Sequence, residues 1–298
     1  MRYRLPTWLN DGDRLIAVTD AGGEEAFVLL HANASQAPER IEGLDIGRPT
    51  AMAVNPKKDQ VVFSNHRYEL MWLDLTTREL KVIDTGVARR ISCFDWSPDG
   101  AWLVYSISIS LQVDVLKLWN AETGVTSQIT DPVLRDVAPA FDPNGKFLYF
   151  LSYRHFDPVY DNLHFDLNFP RGMKPFLITL QKDTPSPFVP KPRVEKKKED
   201  DEEKNKDTRE GEEKKEDEKK DEAKTGDDEK EKHDEKEKDK PVQIDLEGIR
   251  TRIIAFPVDE GLYGRILGLK DNKVLFSWYP IEGSLGSSWA NQTEPSAK

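Results

Sequence analysis

Short hydrophobic runs alternate along this chain with clusters of turn residues, and the two recur together. Trp-Ser-Pro-Asp-Gly at 96–100 and Phe-Asp-Pro-Asn-Gly at 141–145 each precede an apolar, aromatic-rich run of six residues. Similar units of turn and run begin at Trp8 and Val54, so the four starting positions are 46, 42 and 45 residues apart. Repeats of this length are typical of propeller blades and related arrays.

Each unit predicts four strands. An apolar residue ends the first strand, proline and glycine make a tight turn, and the following run forms the second strand. Third strands are predicted at 68–75 and 115–120, and fourth strands at 80–83 and 125–129. Unrelated hairpins of a β-sandwich would not produce four matched copies at nearly constant spacing. We therefore predict an all-β chain with about five blades of a β-propeller.

Two stretches depart from the repeat. In the fourth unit, a long polar and aromatic excursion at 155–170 separates the second strand from the third strand at 174–180. A loop of this length is functional or a packing feature, and contact with a partner or substrate and plain structural cover both remain open. The second stretch, 191–240, holds 18 basic and 23 acidic residues among 50. Because it has almost no apolar residues, we predict a disordered, solvated spacer.

These features divide the chain into four regions. We predict propeller blades before the charged low-complexity insert, a further and incomplete blade after it, and a polar tail without closing strands. The four regions are 1–190, 191–240, 241–282 and 283–298.

Composition and charge argue against several classes of function. Outside the insert, 25 basic and 31 acidic residues remain among 248, and this acidic balance argues against a nucleic-acid partner. No stretch approaches the ~18–20 apolar residues that cross a bilayer, and the first eight residues lack the apolar core of a secretory signal. The single cysteine, Cys93, fits a reducing compartment. We expect a cytoplasmic protein with neither a nucleic-acid nor a membrane partner.

No motif indicates an active site within the chain. The Gly-x-Ser-x-Gly motif of hydrolases is absent, because the glycines of Gly-Ser-Leu-Gly at 283–286 have the wrong spacing. The histidines lack a neighbouring nucleophile motif, and Cys93 is expected to be a small buried hydrophobe in a strand. His155 and His164 lie near aspartates but lack metal-ligand spacing, so loop hydrogen bonding is favoured. We expect no catalytic residue, no cofactor and no metal.

Several segments together resemble one known family. The combination is similar to the second propeller of tricorn protease and its bacterial homologues, and a charged insert at this place strengthens the likeness. The segments span nearly the whole chain. They are 3–8, 65–70, 95–100, 140–143, 156–161, 165–170 and 184–188.

The resemblance implies a cytoplasmic serine peptidase that assembles into hexamers and trims oligopeptides released by the proteasome or similar proteases. It implies a seven-bladed propeller that acts as a gated channel for peptides, with the catalytic serine and histidine in domains beyond this chain. Because only about five blades are present, we interpret the chain as a fragment that lacks the catalytic core.

Two other functions stay open on the sequence. One is the propeller of a prolyl-oligopeptidase-like hydrolase, which a downstream Gly-x-Ser-x-Gly motif would indicate. The other is a TolB-like scaffold for protein–protein binding, which an upstream signal peptide without a downstream catalytic domain would favour.

Overall fold

The computed structural model describes residues 2–34, 36–155, 159–161, 166–168, 172–189 and 241–279. The first blade contains β1 (Tyr3–Trp8), β2 (Arg14–Thr19), β3 (Ala26–His31) and β4 (Glu39–Ile41). The second contains β5 (Pro49–Val54), β6 (Gln60–Asn65), β7 (Glu69–Asp74) and β8 (Leu80–Thr85). The third contains β9 (Phe94–Trp96), β10 (Trp102–Ser108), β11 (Asp114–Asn120) and β12 (Thr126–Gln128).

The fourth blade contains β13 (Asp136–Phe141), β14 (Phe147–Ser152), β17 (Lys174–Thr179) and β18 (Ile253–Ala255). A separate hairpin, β15 (Val159–Asp161) and β16 (Asp166–Asn168), lies between β14 and β17 in the chain. The 3-10 helix η1 (Ile249–Arg252) precedes β18, and β19 (Leu262–Leu269) pairs with β20 (Lys273–Tyr279) to form the described part of the fifth blade.

The blades lie side by side in chain order. The first strand of each blade contacts the first strand of the next, from β1 through β5, β9 and β13 to β19. Within each four-stranded sheet the order follows the chain and all pairs are antiparallel. This arrangement confirms the predicted all-β propeller and its repeating blades.

Blade packing explains why the strands are apolar at successive positions. In β6, Val61 and Phe63 belong to the hydrophobic cluster between blades one and two, whereas Val62 belongs to the cluster between blades two and three. Similarly, Leu148 faces blade three and Tyr149 faces blade five. A blade with a neighbour on each side therefore buries both faces of its sheet. Its strands are apolar at successive positions and do not show the hydrophobic–polar alternation of a half-exposed strand.

The repeated turns have the predicted chemistry. The Gly100 N–H donates to Ser97 O over 2.8 Å, and the Gly145 N–H donates to Asp142 O over 2.9 Å. Only the glycine of each Asp-Gly or Asn-Gly pair is left-handed, with φ of 69° and 67°. The residue before each glycine keeps a negative φ.

The strand after the insert completes the fourth blade. Residues 241–282 are predicted to form a further blade, but Ile253 and Ala255 pair with Ile178 and Phe176 of β17 in the fourth blade. Residues 241–246 form no strand and cross the end of β17, where the Asp245 N–H donates to Leu180 O over 2.9 Å. The physical reason is that β17 would otherwise leave its outer edge unpaired. The predicted tail and the insert itself lie outside the described residues.

The strands that precede the excursion and the insert end on opposite faces of the blade row. The turns between strands one and two, and between strands three and four, lie on one face, which we call the turn face. The other face, the linker face, carries the connections between strands two and three and between successive blades. β14, which precedes the excursion in the chain, ends on the linker face, whereas β17, which precedes the insert, ends on the turn face.

Candidate functional site

Five strands, β1, β5, β9, β13 and β19, form the inside of the blade row, and we call them the inner strands. Each lies at the edge of its own sheet, so within the described residues its second edge has no strand partner. A strand edge presents a row of N–H and C=O groups, and such a row can pair with an extended peptide. The inner strands are therefore the part of the fold best suited to contact an extended chain.

An extra residue interrupts the hydrogen-bond ladder near the start of four inner strands. In β1 the register passes from Arg4 to Thr7 while β2 advances only from Val18 to Ile16. The equivalent shifts lie between Pro49 and Ala51, Val137 and Ala140, and Tyr263 and Ile266. Such bulges twist a strand and redirect its side chains, and they are frequent beside functional sites.

Two of these bulges contain a left-handed residue that is not glycine. Leu5 has φ of 52° and Ala138 has φ of 50°. Such a conformation costs on the order of 1 kcal/mol or more and persists only where the surroundings hold it. Both side chains pack against inter-blade clusters, which provide that support. The distortion is thus a repeated feature of the inner strands.

A titratable acid lies where the inner strands of blades three and four meet. The Asp95 carboxylate on β9 accepts a hydrogen bond from the Phe141 N–H on β13 over 2.8 Å. Burial raises the pKa of Asp95 to about 6, although hydrogen bonds from backbone N–H groups and the charge of Arg265 oppose this rise. An acid whose pKa is raised by burial therefore lies at a joint between two blades.

Ion pairs and buried acids tie the strand ends together on the linker face. Arg135 donates to Asp114 over 2.8 Å, and Arg154 donates to Asp136 over 2.6 Å. Both carboxylates are buried, and each also accepts a hydrogen bond from a serine of its own blade, Ser108 or Ser152. Further pairs on this face include Arg4–Glu25, Arg48–Glu25, Arg67–Asp45, Arg67–Glu69, Arg89–Asp114 and His155–Glu260.

These ion pairs and hydrogen bonds have a structural role, because they hold the strand ends of the linker face together. Across the described part of the chain, no serine hydroxyl is hydrogen-bonded to a histidine, as a nucleophile and its base would be. His155 instead lies 3.1 Å from Glu260, and its loop hydrogen-bonding role stays a prediction. His164 and Asp157 lie outside the described residues. The expectation that this chain contains no catalytic residue stays a prediction.

The remaining candidates are placed as follows. Cys93 is half-buried and lies just before β9, so its prediction as a buried strand residue is wrong; blade three starts its first strand only at Phe94. Among the residues with described positions, no group of three or more His, Cys, Asp or Glu side chains could hold a metal ion. In the same residues, no helix is both long and apolar enough to span a membrane.

Comparison with known proteins identifies a related family. The family model described as "Tricorn protease second beta propeller domain" matches residues 1–297. Tricorn protease homolog 1 of Streptomyces coelicolor is 33% identical over 300 residues, which cover 99% of this chain and 25% of that protein. The Tricorn protease homolog of Saccharolobus solfataricus is 30% identical over 283 residues, which cover 95% of this chain and 22% of that protein.

A solved structure agrees with these relatives. The crystal structure of the tricorn protease superposes with a TM-score of 0.71 at 22% identity, covering 96% of this chain and 24% of that chain. At this identity the likeness concerns the fold. The chain spans about a quarter of the length of the relatives that it matches.

Proposed function

The chain belongs to the family of the tricorn protease second β-propeller domain, and on this premise we propose that it forms a substrate passage in a tricorn-type peptidase. Extended oligopeptides would pass along the inner strands toward catalytic domains that lie outside this chain. Folded proteins would be too wide for such a passage. The family membership favours this function over the prolyl-oligopeptidase-like and TolB-like alternatives.

The observation that carries the proposal is the set of inner strands. They contact one another in chain order, and the edge of each that faces away from its own sheet has no strand partner among the described residues. An extended peptide has free N–H and C=O groups that such an edge can bind, and side chains of any type can be accommodated because the contacts are to backbone. This fits a passage that must admit many sequences.

The bulges support the same function from a second direction. A regular edge would pair continuously with a peptide and release it slowly, whereas a bulge interrupts pairing and terminates the ladder. The interruptions in β1, β5, β13 and β19 limit how many consecutive hydrogen bonds one peptide can form. A passage requires contacts that are weak enough for the peptide to leave.

The family membership extends the proposal to the whole protein. We propose a cytoplasmic serine-type hydrolase that acts on oligopeptides made by the proteasome or similar proteases and that assembles as a hexamer. Peptides would be its substrates, and the propeller would contribute no chemical step. The excursion at 155–170 stays open as a partner contact or a structural cover.

Photo-crosslinking tests the passage. An extended ten-residue peptide with a central benzoyl-phenylalanine would be irradiated with the 298-residue chain, and the crosslinks would be mapped by mass spectrometry. We expect them on the inner strands, and we expect a folded domain carrying the same label to leave these strands unlabelled. Crosslinks confined to the outer strands β4, β8, β12 and β18 would contradict the proposal. Cleavage of the peptide by this chain would contradict the placement of catalysis elsewhere.

A further inference from the structure

Exposed apolar side chains gather on the linker face of blade three. They come from the connection between β10 and β11 and from the linkers on either side of the blade, and two of the side chains are 78% and 70% exposed. Single exposed apolar residues are normal on a protein surface, but a group of them commonly marks an interaction site. We call the five residues the apolar patch. They are Val87, Ile109, Leu111, Val133 and Leu134.

Hydrogen bonds hold the three segments of the apolar patch side by side. The Arg89 side chain, in the linker 86–93, donates to Leu111 O in the connection between β10 and β11. The Asp114 N–H, at the end of the same connection, donates over 3.0 Å to Leu134 O in the next linker. The apolar side chains of the three segments therefore belong to one surface.

Blades one and two have largely polar connections at the same place. The connection from the second to the third strand is Asp-Ala-Gly-Gly-Glu-Glu at 20–25 in blade one and His-Arg-Tyr at 66–68 in blade two. In blade three it is Ile-Ser-Leu-Gln-Val at 109–113. Because the other two blades form the same four-stranded sheet without such residues, the exposed apolar residues of blade three are not required by the blade itself.

Positive charge borders the apolar patch. Arg89 and Arg135 lie 3.7 and 2.8 Å from the same carboxylate, that of Asp114, and the exposed Arg90 has no ion pair in the described part of the chain. Three guanidinium groups therefore accompany one carboxylate. Excess positive charge beside apolar side chains favours a partner that combines carboxylates with apolar groups. Two further acids of this region are already paired, Asp131 with Arg250 and Asp136 with Arg154.

The main chain of the apolar patch is bonded within the protein. The Ile109 and Ser110 N–H groups donate to Val113 O, and the Val133 N–H donates to Asp131 O. An extended peptide that pairs through its backbone needs an open strand edge, which these turns do not provide. An α-helix satisfies its own backbone and presents apolar side chains at i, i+3, i+4 and i+7 on one face. The apolar patch therefore suits an amphipathic helix.

We propose that the apolar patch docks an acidic amphipathic helix from another domain of the peptidase. Apolar side chains of the helix would cover Leu111 and Leu134, and its carboxylates would pair with Arg89 and Arg90. In the relatives, about three quarters of the protein lies outside the matched region, which is where such a helix would be found. The source of the helix rests on the proposed function, whereas the apolar patch itself does not overlap the inner strands.

Two other occupants fit the apolar patch less well. A second copy of the chain is a poor source of the helix, because the only helix among the described residues is the four-residue η1. An anionic membrane would also attract arginines beside apolar side chains. The whole chain has a net charge of -11, however, which such a membrane would repel.

Fluorescence anisotropy tests the chemistry of the partner. The probe is a labelled, stapled helix of glutamate and leucine with its leucines on one face. One control peptide has the leucines spread around the helix, and the other has lysine in place of glutamate. We expect the 298-residue chain to bind the probe at least tenfold more tightly than either control, or by about 1.4 kcal/mol. Equal binding of the three peptides, no binding, or preferred binding to phosphatidylglycerol vesicles overturns the proposal.

Exposed variants tie this binding to the apolar patch. We expect Leu111→Ser and Arg90→Glu each to weaken binding of the probe about tenfold, which corresponds to about 1.4 kcal/mol. The matched controls are Val125→Ser and Lys270→Glu, at exposed positions on the turn face. All four positions are exposed, so the variants leave the core unchanged. Unchanged affinity in the first two variants, or equal losses in the controls, overturns the proposal.

Thiol labelling tests the source of the helix. Gln112 is exposed beside Leu111, so Gln112→Cys in a Cys93→Ser background leaves the apolar residues in place. Maleimide labelling would be followed by mass spectrometry in the 298-residue chain and in the full-length peptidase. We expect labelling at residue 112 to be about tenfold slower in the full-length protein, or about 1.4 kcal/mol, and Val125→Cys to react alike in both. Equal rates at residue 112 overturn the docking of another domain, whereas the proposed passage is tested separately by crosslinks on the inner strands.

Discussion

Blades three and four begin alike and end differently. Blade three completes its strands between Phe94 and Gln128, whereas blade four uses residues from Asp136 to Ala255 for a sheet of the same order. Both sheets nevertheless bury their two faces against neighbours. The entropy of closing a loop grows only slowly with its length. Strand register and burial, and not continuity of the chain, therefore decide where a strand docks.

The two blades also differ in what contacts their first turn. In blade three, Asn55 of the preceding blade donates from Nδ2 to Gly100 O over 2.9 Å. In blade four, the corresponding Gly145 packs against Val242, whose N–H donates to Asp99 over 2.6 Å. A residue that follows the insert thus performs in blade four the role that a neighbouring turn performs in blade three.

The largest expected effect separates these two turns. A Cβ at Gly100 would lie 2.2 Å from Asn55 Oδ1, whereas one at Gly145 would lie 2.8 Å from a Val242 methyl carbon. Asn55 is fully buried and held by hydrogen bonds, so it cannot move aside. We expect Gly100→Ala to lower the free energy of unfolding by about 3 kcal/mol, and Gly145→Ala by about 2 kcal/mol. Urea denaturation measures both.

Gly124→Ala is the matched control for this pair. Gly124 is also left-handed, with φ of 72°, but a Cβ there would meet nothing within 4 Å. Its cost is therefore the backbone conformation alone, about 1 kcal/mol. If all three variants lose equal stability, contact between turns does not distinguish the blades.

The next effect concerns the join that only blade four possesses. The Arg252 side chain donates to Thr179 O and Glu247 O, both over 2.9 Å, and also to the carbonyls of Leu180 and Asp245. It therefore binds the chain before the insert to the chain after it. We expect Arg252→Ala to cost about 2 kcal/mol, because hydrogen bonds from a charged group are strong and the carbonyls lose their donor. Chemical denaturation tests this.

Arg250 on the same 3-10 helix provides the control. It pairs with Asp131 over 3.0 Å, and both side chains are about half exposed. Exposed pairs contribute about 0–1 kcal/mol, so Arg250→Ala should have a small effect. Equal losses in the two variants would show that Arg252 does not join the two segments.

The regular part of the fold was predictable from the sequence because each blade repeats the same kind of turn followed by an apolar run. Turns such as that at Gly100 combine proline, a short polar residue and glycine, and the following apolar run has nowhere to bury except between blades. The pairing of β18 with β17 in blade four was not predictable in this way. β18 is a three-residue strand, too short for a pattern, and its partner β17 lies across the insert. The pairing is set by an unfilled sheet edge in three dimensions.

The inner strands were predicted as strands, but their bulges were not. Leu5 and Ala138 are ordinary residues for a regular strand, and only their φ values mark the distortion. The unpaired indole N–H of Trp72 was missed for a similar reason. Trp72 and Trp119 belong to apolar stripes that indicate core, and the unpaired indole N–H appears only once their neighbours are placed.

A pH-dependent effect tests the joint between blades three and four. Burial raises the pKa of Asp95 to about 6, above the value of 3.8 from which it starts. The folded protein therefore binds this proton more tightly than the unfolded chain, and stability falls as pH rises from about 4 to about 6. Asp95→Asn should lack this fall. We expect the wild-type stability, minus that of the variant, to decrease by about 2 kcal/mol between pH 4 and pH 7.

The difference between the two proteins is the quantity to measure, because other acids act in the opposite direction. Backbone and side-chain hydrogen bonds from Arg14 lower the pKa of Asp11 to about 2, and its contribution is lost at low pH in both proteins. Subtraction removes such shared effects. A difference that is constant with pH would show that the surroundings of Asp95 do not raise its pKa.

The smallest expected effect concerns the insert that distinguishes blade four. Its flanks are held independently of it, since Phe188 packs on Phe256 at 4.9 Å between ring centroids and Val242 is buried between two blades. Deleting residues 203–227 removes half of the 50-residue insert. If the insert is a solvated spacer, the deletion only shortens a loop. Halving a loop raises the free energy of unfolding by roughly 0.6 kcal/mol through closure entropy.

The control is a charge-preserving scramble of 203–227, which should leave the free energy of unfolding unchanged. A loss above about 1 kcal/mol in either variant would mean that the insert contacts the propeller specifically. Blade four would then depend on a segment of chain that blade three does not need.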